Sequence, residues 1–482
     1  TLVANIVYAS IPQQERFAHH GWIAQTLEEQ KEHKAEHYEV LAYHYSRSYK
    51  ASKAIEYLTK AGHRARRCFN NIDAITFYEQ ALDLIRDSSV ELPEQMGEIH
   101  EGLGDVFKAI GRYHDALTSY QKRLELGMET DSVVARLTQA DIKHKIAEVY
   151  TRQSTWEKAL EFLKSAEEDL TSLSSAIVQV DNLHDKTSEL LGEIYYHIGF
   201  VYSQQGNLTG AISVSQQALN ALRESDSPDV WARVYGQLGA CYMKSGDLQS
   251  AERHLLASIE FANRIGNQYM LSVFYNDLGL IARNSSRLDQ AIEYYEKSIQ
   301  IKKHLKYLDT LSRSYFSLAL IYLETGGLDN ALIYLKNALK YTPHGSSDKF
   351  IGDLHVSIAN VYQRQGHINS AIAHYQKNIE IRVQAGDEIG SAVGGEYLCQ
   401  AYLAKGDLDA AMDVCTESLK AAEMLNLNAL AVRNYVDLAL IHRAKQEWED
   451  VVENLEIALV VAAKADDGRV MAQIHRHLAE TY

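Results

Sequence analysis

Histidines and cysteines are the residues whose types and spacing could support chemistry in this sequence. His33, His37 and His44 are spaced by four and then seven residues, which places them on one face of a helix. Such a stripe can bind a metal ion, but no cysteine or carboxylate pattern completes a ligand set. A solvated or packing stripe is the better interpretation, and we expect no metal and no cofactor.

The motifs of common enzyme classes are missing from the sequence. There is no G-x4-G-K-[ST] phosphate loop, no H-E-x-x-H motif and no pair of C-x-x-C motifs. Cys399 and Cys415 fall at facing positions of the repeat described below, where buried inert thiols are favoured over a redox pair. No catalytic residue is predicted, and an enzyme would require an acid–base set that the spacing does not reveal.

Composition narrows the class of protein. The chain has 482 residues, 46% of them hydrophobic, and only 4 prolines, which favours a mostly helical fold with an ample core. Its formal net charge of −16 disfavours nucleic acid and anionic membrane surfaces as partners. No apolar run is long enough to span a membrane, and the 4 scattered cysteines fit a reducing compartment. We therefore expect a cytoplasmic location.

A 40-residue repeat organises the second half of the chain. A small residue lies twelve positions before each of six equally spaced alanines, and a glycine usually follows that small residue by seven positions. Glycine there permits a left-handed helix end and a sharp turn. The six alanines are Ala211, Ala251, Ala291, Ala331, Ala371 and Ala411. The pattern predicts antiparallel helix pairs that bury their small residues against each other.

This spacing resembles the tetratricopeptide repeat (TPR), whose L-G-x-x-Y motif is seen at Leu238, Gly239 and Tyr242. The usual unit has ~34 residues, and the longer unit here is similar to the LGN-like and MalT-like branches of that superfamily. The resemblance implies an all-α fold, a right-handed α-α superhelix (TPR solenoid) of about ten helix pairs.

The segment from Thr1 to Asn70 is helical in pattern but does not follow the period of the later repeats. The segments 41–45 and 54–62 resemble the start of the C-terminal TPR tail of STAND/AAA-type signalling ATPases, which are often fused to nucleotide cyclases or Ser/Thr kinases. This resemblance implies a covalently attached upstream signalling domain. The sequence begins at Thr1 and ends at Tyr482 inside a helical pattern, which we interpret as a piece of a longer protein.

The predicted organisation has four parts. They are a helical segment at 1–50 that ends an upstream arm-like region, irregular helix pairs at 51–190 with an insertion near 170–188, a regular 40-residue array at 191–468, and a terminal solvating or truncated helix at 469–482.

By resemblance to the family, the first helix of each pair lines a concave groove at its second, fifth, ninth and twelfth positions. The residues predicted to bind a partner there are Tyr196, Phe200, Arg233, Asn276, Arg283, Arg313, Phe316, Asn360, Gln363, Gln400, Arg433 and Arg443. Mixed arginine, amide and aromatic side chains suit a protein or peptide ligand, and the arginines favour a carboxylate. Alternatively, these arginines pair with acidic residues on neighbouring helices, and both interpretations stay open.

The sequence therefore predicts a protein–protein interaction scaffold or sensor that binds a protein or peptide segment in its groove and regulates a larger signalling protein. The alternative is a regulatory tail that binds a small effector, as in the MalT-like branch of STAND ATPases or nucleotide cyclases. Neither hypothesis includes a nucleic-acid or membrane partner.

Overall fold

The computed structural model describes residues 7–29, 37–88, 92–127, 132–177, 181–343, 345, 347–464 and 468–481. Within these ranges the chain is helical and contains no strand. The helices are α1 Gln13–Glu29, α2 Tyr38–Tyr45, α3 Ala51–Arg67, α4 Asn71–Ser88, α5 Pro93–Ala109, α6 Tyr113–Leu126, α7 Val133–Arg152, α8 Trp156–Ile177, α9 Asp181–Gln204, α10 Leu208–Ala221, α11 Pro228–Ser245, α12 Leu248–Arg264, α13 Gln268–Asn284, α14 Leu288–Leu305, α15 Leu308–Glu324, α16 Leu328–Lys340, α17 Asp348–Arg364, α18 Ile368–Gln384, α19 Glu388–Lys405, α20 Leu408–Met424, α21 Asn428–Lys445, α22 Trp448–Lys464 and α23 Gly468–Thr481.

Consecutive helices pack as pairs, and the turn inside each pair explains the recurring glycine. Gly406 has φ 83°, and its N–H donates to the Leu403 carbonyl at 3.0 Å before α20 begins. This left-handed conformation costs glycine little, because it has no Cβ. Ser286 and Gln446 adopt the same conformation at the equivalent positions, with φ 59° and 66°. The repeat spacing therefore predicts the turns even where glycine is replaced.

The small residues of the repeat lie where the two helices of a pair approach most closely. A Cβ built on Gly279 would come within 2.9 Å of the Tyr295 ring, which is itself 1% exposed. A Cβ on Gly239 would meet the Leu255 side chain at 2.6 Å and the Ala251 carbonyl oxygen at 3.3 Å. The small residue of the first helix therefore packs against the second helix at the predicted alanine and at the larger side chain four residues after that alanine. The predicted all-α helix-pair fold is confirmed.

The chain divides into two compact units, Thr1–Phe261 and Ala262–Tyr482. In the first unit, the fully buried rings of Tyr45, Tyr78 and Tyr120 anchor the core of the helices that do not follow the repeat period. Helices α8 and α9, of 22 and 24 residues, are longer than the 17-residue helices typical of the array. The described residues of the predicted insertion near 170–188 form the end of α8 and the start of α9. The predicted division into four parts stays a prediction.

The second unit holds the regular array from α13 to α23. Its final helix, α23, buries Ile474 against Val451 and Leu455 of α22. The apolar flank of the last complete pair is therefore covered by a single helix. Among the described helices, none combines the length and the apolarity needed to cross a membrane.

Candidate functional site

Four of the five predicted groove arginines are held by carboxylates. Arg233 donates to Glu193 at 2.6 Å and lies 2.9 Å from an oxygen of Asp229. The other three paired arginines are Arg283 with Glu324, Arg433 with Glu396 and Arg443 with Glu480. Each of the four arginine–glutamate pairs joins two different helices. The alternative interpretation, in which the groove arginines form ion pairs with acidic residues on neighbouring helices, therefore describes these four positions.

Arg313 is different, because its guanidinium is exposed and makes no ion pair in the described part of the chain. Its guanidinium carbon lies 4.9 Å from the centroid of the Phe350 ring. Phe316 packs edge-on against the same ring, with 5.7 Å between centroids. A cation over an aromatic face retains its hydrogen-bond donors for a ligand, since the ring takes none of them in the plane of the guanidinium.

The predicted amides Asn360, Gln363 and Gln400 line one cavity of about 550 Å³ in the second unit. Leu320, Leu323, Tyr375 and Tyr397 complete much of its wall. The cavity volume lies within the range of ~300–1,000 Å³ found for small-ligand sites. The structure therefore brings three of the twelve predicted groove residues together around one space.

The Tyr375 hydroxyl organises the amides of this cavity. It lies 2.5 Å from Asn360 Oδ1 and 2.9 Å from Gln363 Oε1. A phenol has one proton, so it can donate fully to only one of these oxygens at a time. The other amide oxygen remains an acceptor for a donor on a ligand, such as a peptide N–H. Burial raises the pKa of Tyr375, so the hydroxyl keeps its proton at neutral pH.

Gln400 connects this cavity to a buried acidic pair. Its Nε2 donates to Glu396 Oε1 at 3.2 Å and lies 3.4 Å from Asp437 Oδ2. Burial, and then the charge of Glu396, raise the pKa of Asp437 to about 7. Arg433 donates to Glu396 at 2.9 Å. Arg433 therefore neutralises a carboxylate that is only 2% exposed.

The remaining predicted residues serve packing or internal hydrogen bonds. Tyr196 lies under the Arg233 guanidinium, 5.3 Å from its ring centroid, and Phe200 is half-buried. Asn276 Oδ1 accepts from Ser314, which in turn accepts from the ammonium of Lys302 at 2.8 Å. Burial lowers the pKa of Lys302 to about 8.

Three aromatic residues lie next to the predicted groove residues, but the repeat pattern did not identify them. Tyr375 and Tyr397 line the cavity, and Phe350 contacts Arg313 and Phe316. Phe350 lies near the start of α17, outside the four first-helix positions assigned to the groove. Tyr397 occupies a position where the neighbouring pairs carry Ser317, Ser357 and Asp437. The sequence signal that could have identified Tyr397 was an aromatic residue at a repeat position that is polar in the neighbouring pairs.

Two groups of side chains in the described residues could hold a metal ion. His144, Glu148 and His197 place their ligand atoms within 4.8 Å of one another in the first unit. Burial lowers the pKa of His144 to about 4 and that of His197 to about 3, so both rings are neutral at pH 7. However, the Lys108 ammonium lies 2.5 Å from Glu148 and competes for its charge. The second group is His442, Glu447 and Asp450, at a turn.

The histidines and cysteines singled out in the sequence have other roles. His33 lies outside the described residues, whereas His44 shares a 2.8 Å hydrogen bond with His20. Cys399 and Cys415 are both free and buried. A hydrogen bond of the Cys415 thiol to Cys399, together with burial, raises the pKa of Cys415. The two side chains are therefore in contact, and Cys415 keeps its proton at neutral pH.

Two segments match family models of helical repeats. Residues 192–354 match the MalT-like TPR region, and residues 99–133 match the tetratricopeptide repeat. These segments are tetratricopeptide-repeat sequence, which confirms the class expected from the repeat spacing. Within the matched segments no catalytic domain is evident. No curated protein matches the chain.

Comparison with a solved structure supports the fold. The chain is similar to a STAND protein with a tetratricopeptide repeat sensor from Pyrococcus horikoshii, with TM-score 0.52, 13% identity, and coverage of 91% of this chain and 74% of that one. BtubC from P. vanneervenii gives TM-score 0.41 and 17% identity over 46% of this chain and 91% of its own. A TPR protein fragment from Cytophaga hutchinsonii gives TM-score 0.44 and 14% identity, over 57% and 98%. At these identities the likeness concerns the fold alone.

Proposed function

We propose that the chain is a protein-interaction scaffold or sensor that binds an extended protein or peptide segment along the first-helix groove of the second unit. The single observation that carries this proposal is the cavity lined by Asn360, Gln363 and Gln400. It offers amide groups for a peptide backbone and the leucine and tyrosine walls for apolar side chains.

Arg313 extends this site along α15. Arg313, Phe316, Leu320 and Leu323 are spaced by three, four and three residues, so they follow one face of the helix. Seven residues at 1.5 Å each place Arg313 about 10 Å along the axis from Leu320. A segment that fills the cavity would thus reach Arg313 with a carboxylate two to four residues away.

The proposal includes a regulatory role in a larger cytoplasmic signalling protein. The MalT-like match and the fold shared with a STAND protein that carries a TPR sensor support this role. The same matches favour a second candidate, in which the tail binds a small effector and shifts the parent protein between two states. A screen of metabolites by thermal shift separates these two functions, because a soluble ligand raises the midpoint by mass action.

The direct test is selection of random dodecapeptides displayed on phage against the full chain. We expect enriched peptides that carry an acidic residue, and an affinity at least tenfold weaker for Arg313→Glu, for Phe316→Ala and for the double change Asn360→Ala with Gln363→Ala. Ile333→Ala is the matched control, because Ile333 is 55% exposed on α16, the second helix of the same pair. Undiminished binding by all three groove variants would contradict the proposal.

A further inference from the structure

One helix pair lacks aromatic rings that equivalent pairs carry. In the pair α15/α16, Tyr315 stacks on Tyr334 and on Tyr341, with centroid distances of 6.1 and 5.8 Å. Tyr315 is only 3% exposed, so these rings fill the space beside the first helix. The stack is part of the packed interior of that pair.

The same three positions are aromatic in an equivalent pair of the first unit. Tyr235 stacks on His254 at 5.9 Å and on Phe261 at 5.8 Å. Trp231 adds a fourth ring, 5.5 Å from Phe261 and nearly parallel to it. Two pairs from different parts of the chain therefore use stacked rings to fill the same place in the repeat.

In the pair α19/α20 these ring positions carry small or aliphatic residues. Two repeat periods after Tyr315, Tyr334 and Tyr341 the sequence has Gly395, Val414 and Ala421, and four periods after Trp231 it has Ser391. These four later residues line a cavity of about 670 Å³ in the second unit. We call this cavity the Gly395 slot. Its volume is within the ~300–1,000 Å³ of small-ligand pockets.

The walls of the Gly395 slot are mostly apolar. Ile379 and Leu398 lie along it, and the side chains of Val383 and Met424 are 62% and 74% exposed at its edge. The Ser418 hydroxyl is already engaged, because it donates to the Ala392 carbonyl oxygen at 2.9 Å. A flat apolar group would bury this surface. It would make the packing contacts that aromatic rings make in the pairs α11/α12 and α15/α16.

Two carboxylates lie at the rim of the slot. Glu388 and Glu417 line it, both are exposed, and neither makes an ion pair in the described ranges. Glu417 lies three repeat periods after Lys297, whose ammonium is 5.7 Å from the Tyr275 centroid and 5.8 Å from the Tyr294 centroid. The repeat position that holds the Lys297 cation over two tyrosine rings in the pair α13/α14 holds the Glu417 carboxylate in the pair α19/α20. A cationic group on a bound ring would therefore face an unpaired carboxylate.

We propose that the Gly395 slot binds a small aromatic cation, a planar ring that carries an ammonium group. The ring takes the place of the stacked tyrosines, and the ammonium group lies beside Glu417 and Glu388. This site is separate from the groove of the proposed function, because α19 contributes Tyr397 and Gln400 to the groove but Ser391 and Gly395 to the slot.

Isothermal titration calorimetry of the full chain tests the proposal with tryptamine as the probe. Indole-3-propanoate tests the role of the positive charge, and cyclohexylethylamine tests the role of the flat ring. We expect saturable tryptamine binding, with at least tenfold weaker binding of both comparison compounds. Absence of saturable tryptamine binding at millimolar concentration would overturn the proposal, as would equal binding of all three compounds.

Filling the slot provides the decisive variants. Gly395→Tyr restores the ring found in the other pairs, and Ala421→Phe restores the ring of Phe261 from the opposite wall. A Cβ at Gly395 would lie 3.1 Å from Ser418 Cβ, a close contact, and Tyr235 and Tyr275 lie opposite Ser258 and Ser298 at the equivalent repeat positions. We expect each variant to weaken tryptamine binding at least tenfold while the thermal midpoint is kept. If one variant unfolds, the other decides, and wild-type affinity in a folded filled variant would overturn the proposal.

Charge reversal at the rim is the last arm of the test. Glu417→Lys should weaken tryptamine binding at least tenfold, whereas Glu456→Lys, at an exposed position on α22, should leave it unchanged. Equal losses in the two variants would assign the effect to overall charge and overturn the role of Glu417.

Discussion

The pairs α15/α16 and α19/α20 share a backbone plan and differ in what fills it. Both begin with a first helix of 17 or 18 residues and turn through a glycine with φ near 80°. The first pair packs Tyr315 between Tyr334 and Tyr341, whereas the second has Gly395, Val414 and Ala421 and an open cavity. The recurring repeat residues therefore specify the helix-pair scaffold. The residues between them specify whether the space beside the first helix is filled by side chains or left as a cavity.

A second contrast concerns arginines at one repeat position. Arg233 and Arg433 each bind a glutamate from the preceding first helix, while Arg313 lies over Phe350 of the following one. The same side chain at the same position thus neutralises a partly buried acid, Glu193, in one pair and a buried acid, Glu396, in another, and it makes no ion pair in the third within the described residues. The difference comes from the neighbouring helix and not from the arginine.

The largest expected effect is the loss of the ring that closes the filled pair. Tyr315→Gly removes a buried aromatic side chain and places glycine inside a helix, so we expect the free energy of unfolding to fall by about 4 kcal/mol. Urea unfolding followed by circular dichroism measures this change. Tyr435→Gly is the control, because Tyr435 has Asn454 and Val461 at the two ring positions and should cost about 2 kcal/mol. Equal costs would show that stacking adds nothing to the filled pair.

The arginine contrast predicts the next largest difference. Arg433→Gln leaves Glu396, which is 2% exposed, without its cation, and should lower the free energy of unfolding by about 2 kcal/mol. Arg313→Gln removes no ion pair and should change it by less than about 0.5 kcal/mol. Chemical denaturation of the two variants side by side provides the measurement. A cost for Arg313→Gln as large as that for Arg433→Gln would remove the distinction between the two arginines.

The raised pKa of Asp437, next to the pair α19/α20, predicts that stability against unfolding depends on pH. Its folded pKa of about 7 lies above the ordinary value of 3.8, so the native state holds a proton that the unfolded state has lost. Its contribution to stability is complete below about pH 4 and is lost as the pH rises to about 7. We expect Asp437→Asn to raise stability by about 1.5 kcal/mol at pH 8 and to change it little at pH 4. Thermal melts at both pH values test this, and a gain independent of pH would contradict the assigned pKa.

The smallest effect concerns the glycine of the slot. Gly395→Ala gains helix propensity of up to about 1 kcal/mol, part of which is offset by the 3.1 Å contact with Ser418. We expect a net stabilisation of about 0.5 kcal/mol in thermal unfolding. A methyl group leaves most of the slot empty, so tryptamine affinity should fall by less than threefold. A large destabilisation would instead show that Ser418 cannot move and that glycine is required for packing.

The fold was predictable because its determinants are local and repeated. Gly406 at the turn and Ala411 in the seam recur at one spacing, and each specifies a conformation or a close approach that few other residues allow. The off-period helices of the first unit were less predictable. Their core depends on rings such as Tyr78, which lies between Gly62 and Gly102, at distances along the sequence that no period reveals.

The site was predictable only in part. The helical spacing correctly places Asn360 and Gln363 near each other, since three residues make almost one turn. It does not say that Tyr375 bridges them from the second helix, or that Arg283 is taken by Glu324. Such contacts depend on rotamers and on the side chains of other helices, which sequence spacing does not determine.

The amino-acid sequence by itself determined the helices, their pairing and the register of the repeat, because these depend on steric size and backbone conformation at recurring positions. The tertiary structure decided which of the five predicted groove arginines has no carboxylate partner among the described residues, and that the space beside Gly395 stays open. Both outcomes depend on side chains from different helices that meet at one place, and no single helix encodes that meeting.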